Sequence, residues 1–157
     1  MNSWLLLSLL LAHVIADFYL QNDKYCLQKE ERKLKSWFLY VHSLLVGVVS
    51  WAFVPVYSFG LYALAIALSH LAIDIVKVHS PKGLWSFTLD QFVHLTILVA
   101  VSFSFNTVTE LPVQSADCAT TFSIPLSILA ILLCIKPANI LIKLILKKYQ
   151  IGEAQSC

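Results

Sequence analysis

Three pairs of histidine and aspartate, each four residues apart, stand inside hydrophobic runs of this chain: "HVIAD" at His13 and Asp17, "HLAID" at His70 and Asp74, and the reversed "DQFVH" at Asp90 and His94. On a helix, four residues turn through about 400° and rise about 6 Å, so each pair shares one face and can address one ion. A fourth run contributes His42. Imidazole and carboxylate together suit zinc, iron or manganese better than calcium or magnesium. Four histidines and three aspartates suffice for two divalent transition-metal ions, with a bridging carboxylate and an open position for water; zinc is the first expectation. A metal held in this way lowers the pKa of its bound water and polarises a scissile group, which points to hydrolysis. One of Asp17, Asp74 and Asp90 can serve as general base instead of ligand. Lys77, three residues after Asp74, and Lys136, inside an apolar run beside Pro137, are the candidates for stabilising developing negative charge. Each has a structural alternative: Lys77 snorkelling to headgroups, Lys136 pairing with a carboxylate.

The elements that must carry these residues follow from composition. The chain has 157 residues, 59% hydrophobic and 13% charged, and its mean hydropathy is +0.77, the composition of a membrane protein. Lipid offers no partners to an open backbone, so the runs must be helices. The expected fold is all-α, a single-domain integral membrane bundle of five transmembrane helices at about 3–21, 37–56, 61–79, 86–105 and 122–147. The first run lacks a positive n-region and contains His13 and Asp17, so it reads as a retained helix rather than a cleaved signal. Pro137 is expected to kink the last one.

Charge sets the expected orientation. The loop at 22–36 holds Lys24, Lys29, Arg32, Lys33 and Lys35, the turn near 80 is flanked by Lys77 and Lys82, and Lys143, Lys147 and Lys148 follow the last run, whereas the loops at 57–60 and 106–121 contain no Lys or Arg. That alternation places the N-terminus outside and the C-terminus in the cytoplasm. Counted from the basic ends, Asp17, Asp74 and Asp90 lie about four residues deep, roughly 6 Å, and His13, His70 and His94 about eight, roughly 12 Å, with His42 at about five. The reversal in the fourth helix is what an antiparallel element needs to bring its pair level with the others. Seven ionisable side chains thus share one layer, and such residues in a bilayer are functional candidates by default.

Gln21, four residues after Asp17, is expected to orient the site or cap the helix, and His79 to be a surface residue. Trp4, Trp37 and Trp85 read as interfacial anchors. Cys26, Cys118, Cys134 and Cys157 form no CxxC pair, and none lies in the layer, which argues against a disulfide framework and an iron–sulfur cluster. Interhelical hydrogen-bond glue is the structural alternative for the whole set. Two functional rivals use the same layer: transport or sensing of a metal ion or protons, and haem or di-iron redox chemistry. The outer halves, as in "LLVGVVSWAFV" and "LTILVAVSF", are almost entirely apolar, which favours one-sided access over a conduit.

The pattern "LAHVIADFYLQ…H…SHLAIDIVK…LDQFVH…KPANILIK" resembles, over nearly the whole chain, an uncharacterised family of small bacterial inner-membrane proteins catalogued as domain of unknown function 3307. That resemblance implies a multi-pass protein of the bacterial inner membrane and no particular reaction. More distantly, the His/Asp spacing is similar to that of membrane-bound proteins described as metal-dependent hydrolases, which raises the expectation of hydrolysis. The expected protein is a membrane-embedded metal-dependent enzyme acting on a lipid-linked or phosphoester substrate from the cytoplasmic leaflet. Its expected partners are the bilayer and that substrate or another small molecule, not nucleic acid.

Overall fold

The structure, a computed structural model, describes residues 3–108 and 118–149, and among the described residues every regular element is helical. They are α1 (Ser3–Tyr19), α2 (Asp23–Arg32), α3 (Trp37–Phe53), α4 (Gly60–Lys77), α5 (Leu84–Val108), α6 (Cys118–Ile135) and α7 (Pro137–Tyr149). The stretch at 22–36, expected as a charged loop, holds α2. Asn22 caps it, the side-chain oxygen accepting from the Lys24 N–H at 3.2 Å and so satisfying one donor of the first turn. Residues 109–117 of the expected 106–121 loop lie outside the described residues, as do the side chain of Cys118 and all of Cys157.

Among the described residues three stretches are long and apolar enough to cross a membrane: Tyr57–Lys77, Leu84–Val108 and Phe122–Tyr149. α1 and α3, at 17 residues apiece, are shorter. Each rises about 25 Å against a hydrocarbon thickness of about 30 Å. The last of the three is broken between α6 and α7 at Lys136, as Pro137 requires: the ring offers no N–H to the preceding turn.

The helices are apolar outside and mixed inside, the reverse of a helix in water. On α4 the buried residues are Ala63, Ile66, Ala67, His70 and Asp74; on α5 they are Asp90, His94, Leu98, Ser102 and Phe105. Steps of three and four draw one stripe along each helix. Leu61, Leu64, Leu68, Leu89, Phe92 and Phe103 point outward and are exposed, which costs nothing where the surroundings are lipid tails. Without a hydrophobic drive between helices, association relies on close packing of small residues. Gly47 on α3 meets α4 where a Cβ would stand 2.8 Å from the Ala67 Cβ and 2.9 Å from the Ala63 carbonyl oxygen.

Because α4 and α5 run in opposite directions, their stripes place Asp74 and Asp90 at one end of the interior. The other end is closed by aromatic rings, Phe105 lying 5.1 Å from both Phe59 and Tyr62, centroid to centroid. α6 packs on the outside of this group, where Leu129 meets Leu7, Leu11, Val14 and Phe18 of α1.

Candidate metal centre

The first site residue sits on irregular helix. α1 is α-helical over Ser3–Val14 and π-helical over Ile15–Tyr19, and the Leu20 N–H donates to the Ile15 carbonyl, five residues back, at 2.9 Å. A π turn carries one residue more than an α turn, so the direction of Asp17 is not the one that its four-residue spacing from His13 alone would set. Single π turns inside α-helices recur at functional positions.

Asp17 is the centre of the group. Its Oδ1 lies 3.2 Å from His42 Nε2 and 3.3 Å from His70 Nε2, and those two nitrogens are 3.2 Å apart. Its Oδ2 is 3.9 Å from His13 Nε2. The His94 ring stands 5.1 Å from that of His13 and 4.4 Å from that of His70. Two sets of ligand atoms therefore form, His13–Asp17–His94 and Asp17–His42–His70, each with its atoms within 4.8 Å of one another, and both include Asp17. Four imidazoles from α1, α3, α4 and α5 surround one carboxylate.

These polar atoms are buried and incompletely partnered. Asp17 Oδ1 makes no hydrogen bond despite the two nitrogens beside it, and neither do His42 Nδ1 and His94 Nε2. An unpartnered neutral polar atom away from water costs about 1–3 kcal/mol, and the charge of Asp17, at ion-pair distance from His42 and His70, is balanced only by a proton on those rings or by a bound cation. Beside His13, His70 and His94 lies a cavity of about 10 Å³, about the space of one water, whose remaining wall is mostly apolar (Val46, Ile66, Ile73, Ile97, Leu98) and does not include Asp17 or His42. The donor set, imidazole nitrogen and carboxylate oxygen without sulfur, fits a transition metal such as zinc, iron or manganese.

Around this core stand two lysine–carboxylate pairs. Lys29 Nζ donates to Asp74 Oδ2 at 2.8 Å, and that oxygen lies 3.8 Å from His70 Nε2. Lys77 Nζ donates to Asp90 Oδ2, which also accepts from Gln91 Nε2 at 3.0 Å. Asp90 Oδ1 is buried without a hydrogen bond, 3.7 Å from His94 Nδ1. His94 Nδ1 lies 2.8 Å from the Asp90 carbonyl oxygen, a contact that fixes the ring and leaves Nε2 for a ligand.

Of the seven ligand candidates, five converge: His13, Asp17, His42, His70 and His94. Asp74 and Asp90 adjoin them with their carboxylates turned to lysine. Lys77 is beside the site, where the spacing places it. Lys136 is not: its ammonium donates to the Phe18 carbonyl at 2.8 Å and lies 5.1 Å from the centre of the Tyr19 ring. The reason lies in the end of another helix. The last carbonyls of α1 lack intrahelical donors, and the break before Pro137 brings Lys136 against them; Tyr19 returns a bond to the Leu132 carbonyl at 2.8 Å. His79 is exposed, as expected, and lies 2.7 Å from the Ile75 carbonyl oxygen through its Nδ1.

Lys29 is the residue that sequence reasoning missed. It is one of five cations at 22–36, and nothing in "LQKEERK" distinguishes it. Only the folding back of α2 over the bundle end buries it beside Asp74.

Comparison with known proteins adds one match. The family model described as "Protein of unknown function (DUF3307)" covers residues 5–123, a span that includes every residue of the core and both flanking lysines. No curated protein and no solved structure matches the chain.

Proposed function

The chain belongs to that family, and we propose that it is a membrane-embedded metal-dependent hydrolase in which Asp17 would serve in the ligand sets of two metal ions. The observation that carries this reading is the membership of Asp17 in both ligand sets, together with the buried, unpartnered Asp17 Oδ1 and His94 Nε2. His13 and His94 would hold one ion, His42 and His70 the other; zinc is the first choice, iron or manganese the alternatives. Bound there, such ions supply a water nucleophile at neutral pH and polarise the group under attack.

The remaining residues take roles from their contacts. Asp90 has one oxygen held by Lys77 and Gln91 and the other without a partner, the arrangement of a positioned general base. Lys77 and Lys29 offer positive charge beside the reaction, and Lys136 takes no part. The membrane reading completes the picture: all five apolar segments cross, the two of 17 residues by locally thinning the bilayer. The N-terminus then lies outside, and the basic loops lie in the cytoplasm of a bacterial inner membrane. A lipid-linked or phosphoester substrate reaches the layer from the cytoplasmic leaflet. Closure of the far end by Phe59, Tyr62 and Phe105 favours this one-sided access over a transport path.

Elemental analysis of the purified protein tests the proposal. Wild type is expected to hold two transition-metal ions per chain, and Asp17→Ala to hold none. Wild type without stoichiometric metal, or metal retained after both Asp17→Ala and His70→Ala, overturns it.

A further inference from the structure

A second cavity, of about 340 Å³, opens beside the layer, walled by α2, the end of α4 and the turn after it; Lys29, Lys77 and Lys82 line it with Gln21, Ser80 and Glu31. Lys29 and Lys77 belong to both places, since they line this cavity and hold Asp74 and Asp90. Among the described residues its wall carries three lysines and one acidic residue, Glu31, with Asp74 and Asp90 paired to Lys29 and Lys77 but outside the wall.

An ammonium has three N–H donors, and Lys29 and Lys77 each give one to an aspartate, which leaves donors for a guest. The volume falls within the range of small-ligand sites, about 300–1,000 Å³, and exceeds what a bare inorganic anion needs. A terminal phosphoryl group suits three cations better than a carboxylate does, because it carries up to two charges and three acceptor oxygens.

We propose that this cavity is the substrate's recognition subsite and binds a phosphate monoester, with Lys29, Lys77 and Lys82 on the phosphoryl oxygens and the ester group within the cavity. The inference deepens the metal-hydrolase reading and rests on it. It places a bound phosphoryl group one contact from Asp90 through Lys77 and one from Asp74 through Lys29. The same headgroup chemistry can arrive on a lipid or in solution.

The test uses the full chain in phosphatidylcholine nanodiscs, stripped of metal by chelation, with binding measured by calorimetry at low salt for two probes, glycerol 3-phosphate and dioctanoyl phosphatidic acid. At least one probe is expected to bind, more weakly as salt is raised. Binding of the first alone identifies a water-soluble source and of the second alone a lipid, and either supports the subsite. Lys82→Gln is expected to weaken binding about five-fold. The double variant Lys29→Gln with Asp74→Asn keeps its buried pair neutral and is expected to weaken binding at least as much. If neither probe binds, or if both variants retain wild-type helix content and wild-type affinity, the subsite is overturned. Metal content measured on the same preparations before chelation separates the two readings: absence of metal overturns the dinuclear centre, and absence of phosphate binding in metal-holding protein overturns the subsite alone.

Discussion

The two ends of the interior are built from the same helices and the same steps of three and four residues, yet they solve burial in opposite ways. At one end α4 and α5 bring His70, Asp74, Asp90 and His94 against Asp17; at the other they bring Phe105 against Phe59 and Tyr62. The aromatic end is filled by its own atoms. It does hold two buried hydroxyls without a partner, Ser50 and Ser102, but each is neutral and costs about 1–3 kcal/mol at most. The polar end leaves two carboxylate oxygens, on Asp17 and Asp90, and two imidazole nitrogens without a hydrogen bond, a larger cost that a bound cation would reduce. One end is filled by its own packing, the other holds a donor set that fits a cation.

Substitutions at the two ends should separate these effects. The largest is expected from Asp17→Ala, which removes the only carboxylate common to both ligand sets and should bring metal content to background by elemental analysis; retention of even one ion per chain would show that the imidazoles suffice without it. Phe105→Ala is expected to lower unfolding free energy by about 3–5 kcal/mol in a detergent denaturation series while the folded protein keeps its full metal content. A loss of metal at low denaturant would mean the two ends are coupled and the contrast is false. Gly47→Ala inserts a methyl against the Ala63 carbonyl and the Ala67 side chain; overpacking of about 1–3 kcal/mol outweighs the gain in helix propensity of about 1 kcal/mol, for a net loss of about 1 kcal/mol. An increase in thermal stability of this variant would show that α3 and α4 have room to part. Ser102→Ala should be the mildest, neutral or stabilising by up to about 1 kcal/mol, because it deletes an unpartnered hydroxyl. Destabilisation beyond that range would reveal a hydrogen bond at the aromatic end and narrow the contrast.

Much of the site was legible because its signals are local. The four-residue spacing of His13 with Asp17, of His70 with Asp74 and of Asp90 with His94 marks shared faces before any helix is placed, and the antiparallel reversal in "DQFVH" foretells which end of α5 joins the layer. The break at Pro137 follows from a missing donor. The other misreadings share one origin, in that each depends on what a second element does. Lys136 was grouped with the site because it is a cation in an apolar run, but the carbonyl that claims it belongs to the end of α1, 118 residues away. The stretch at 22–36 reads as a charged loop because its charges dominate, yet α2 forms there with Lys29 turned inward. The π turn at Ile15–Tyr19 has no periodic signature, since the sequence of α1 is apolar on nearly every face.

By itself, the sequence determined that the chain is helical, that it holds stretches apolar enough for a bilayer, and that each His/Asp pair shares one helix face; all of these rest on composition or on spacing within a single helix. Only the tertiary structure decided that Asp17 stands at the centre, that Asp74 and Asp90 turn to lysines, and that Lys29 lies against Asp74 while Lys136 bonds the Phe18 carbonyl. Those choices depend on how helices far apart in the chain rotate against one another, and a carboxylate goes to whichever partner that rotation brings within about 3 Å.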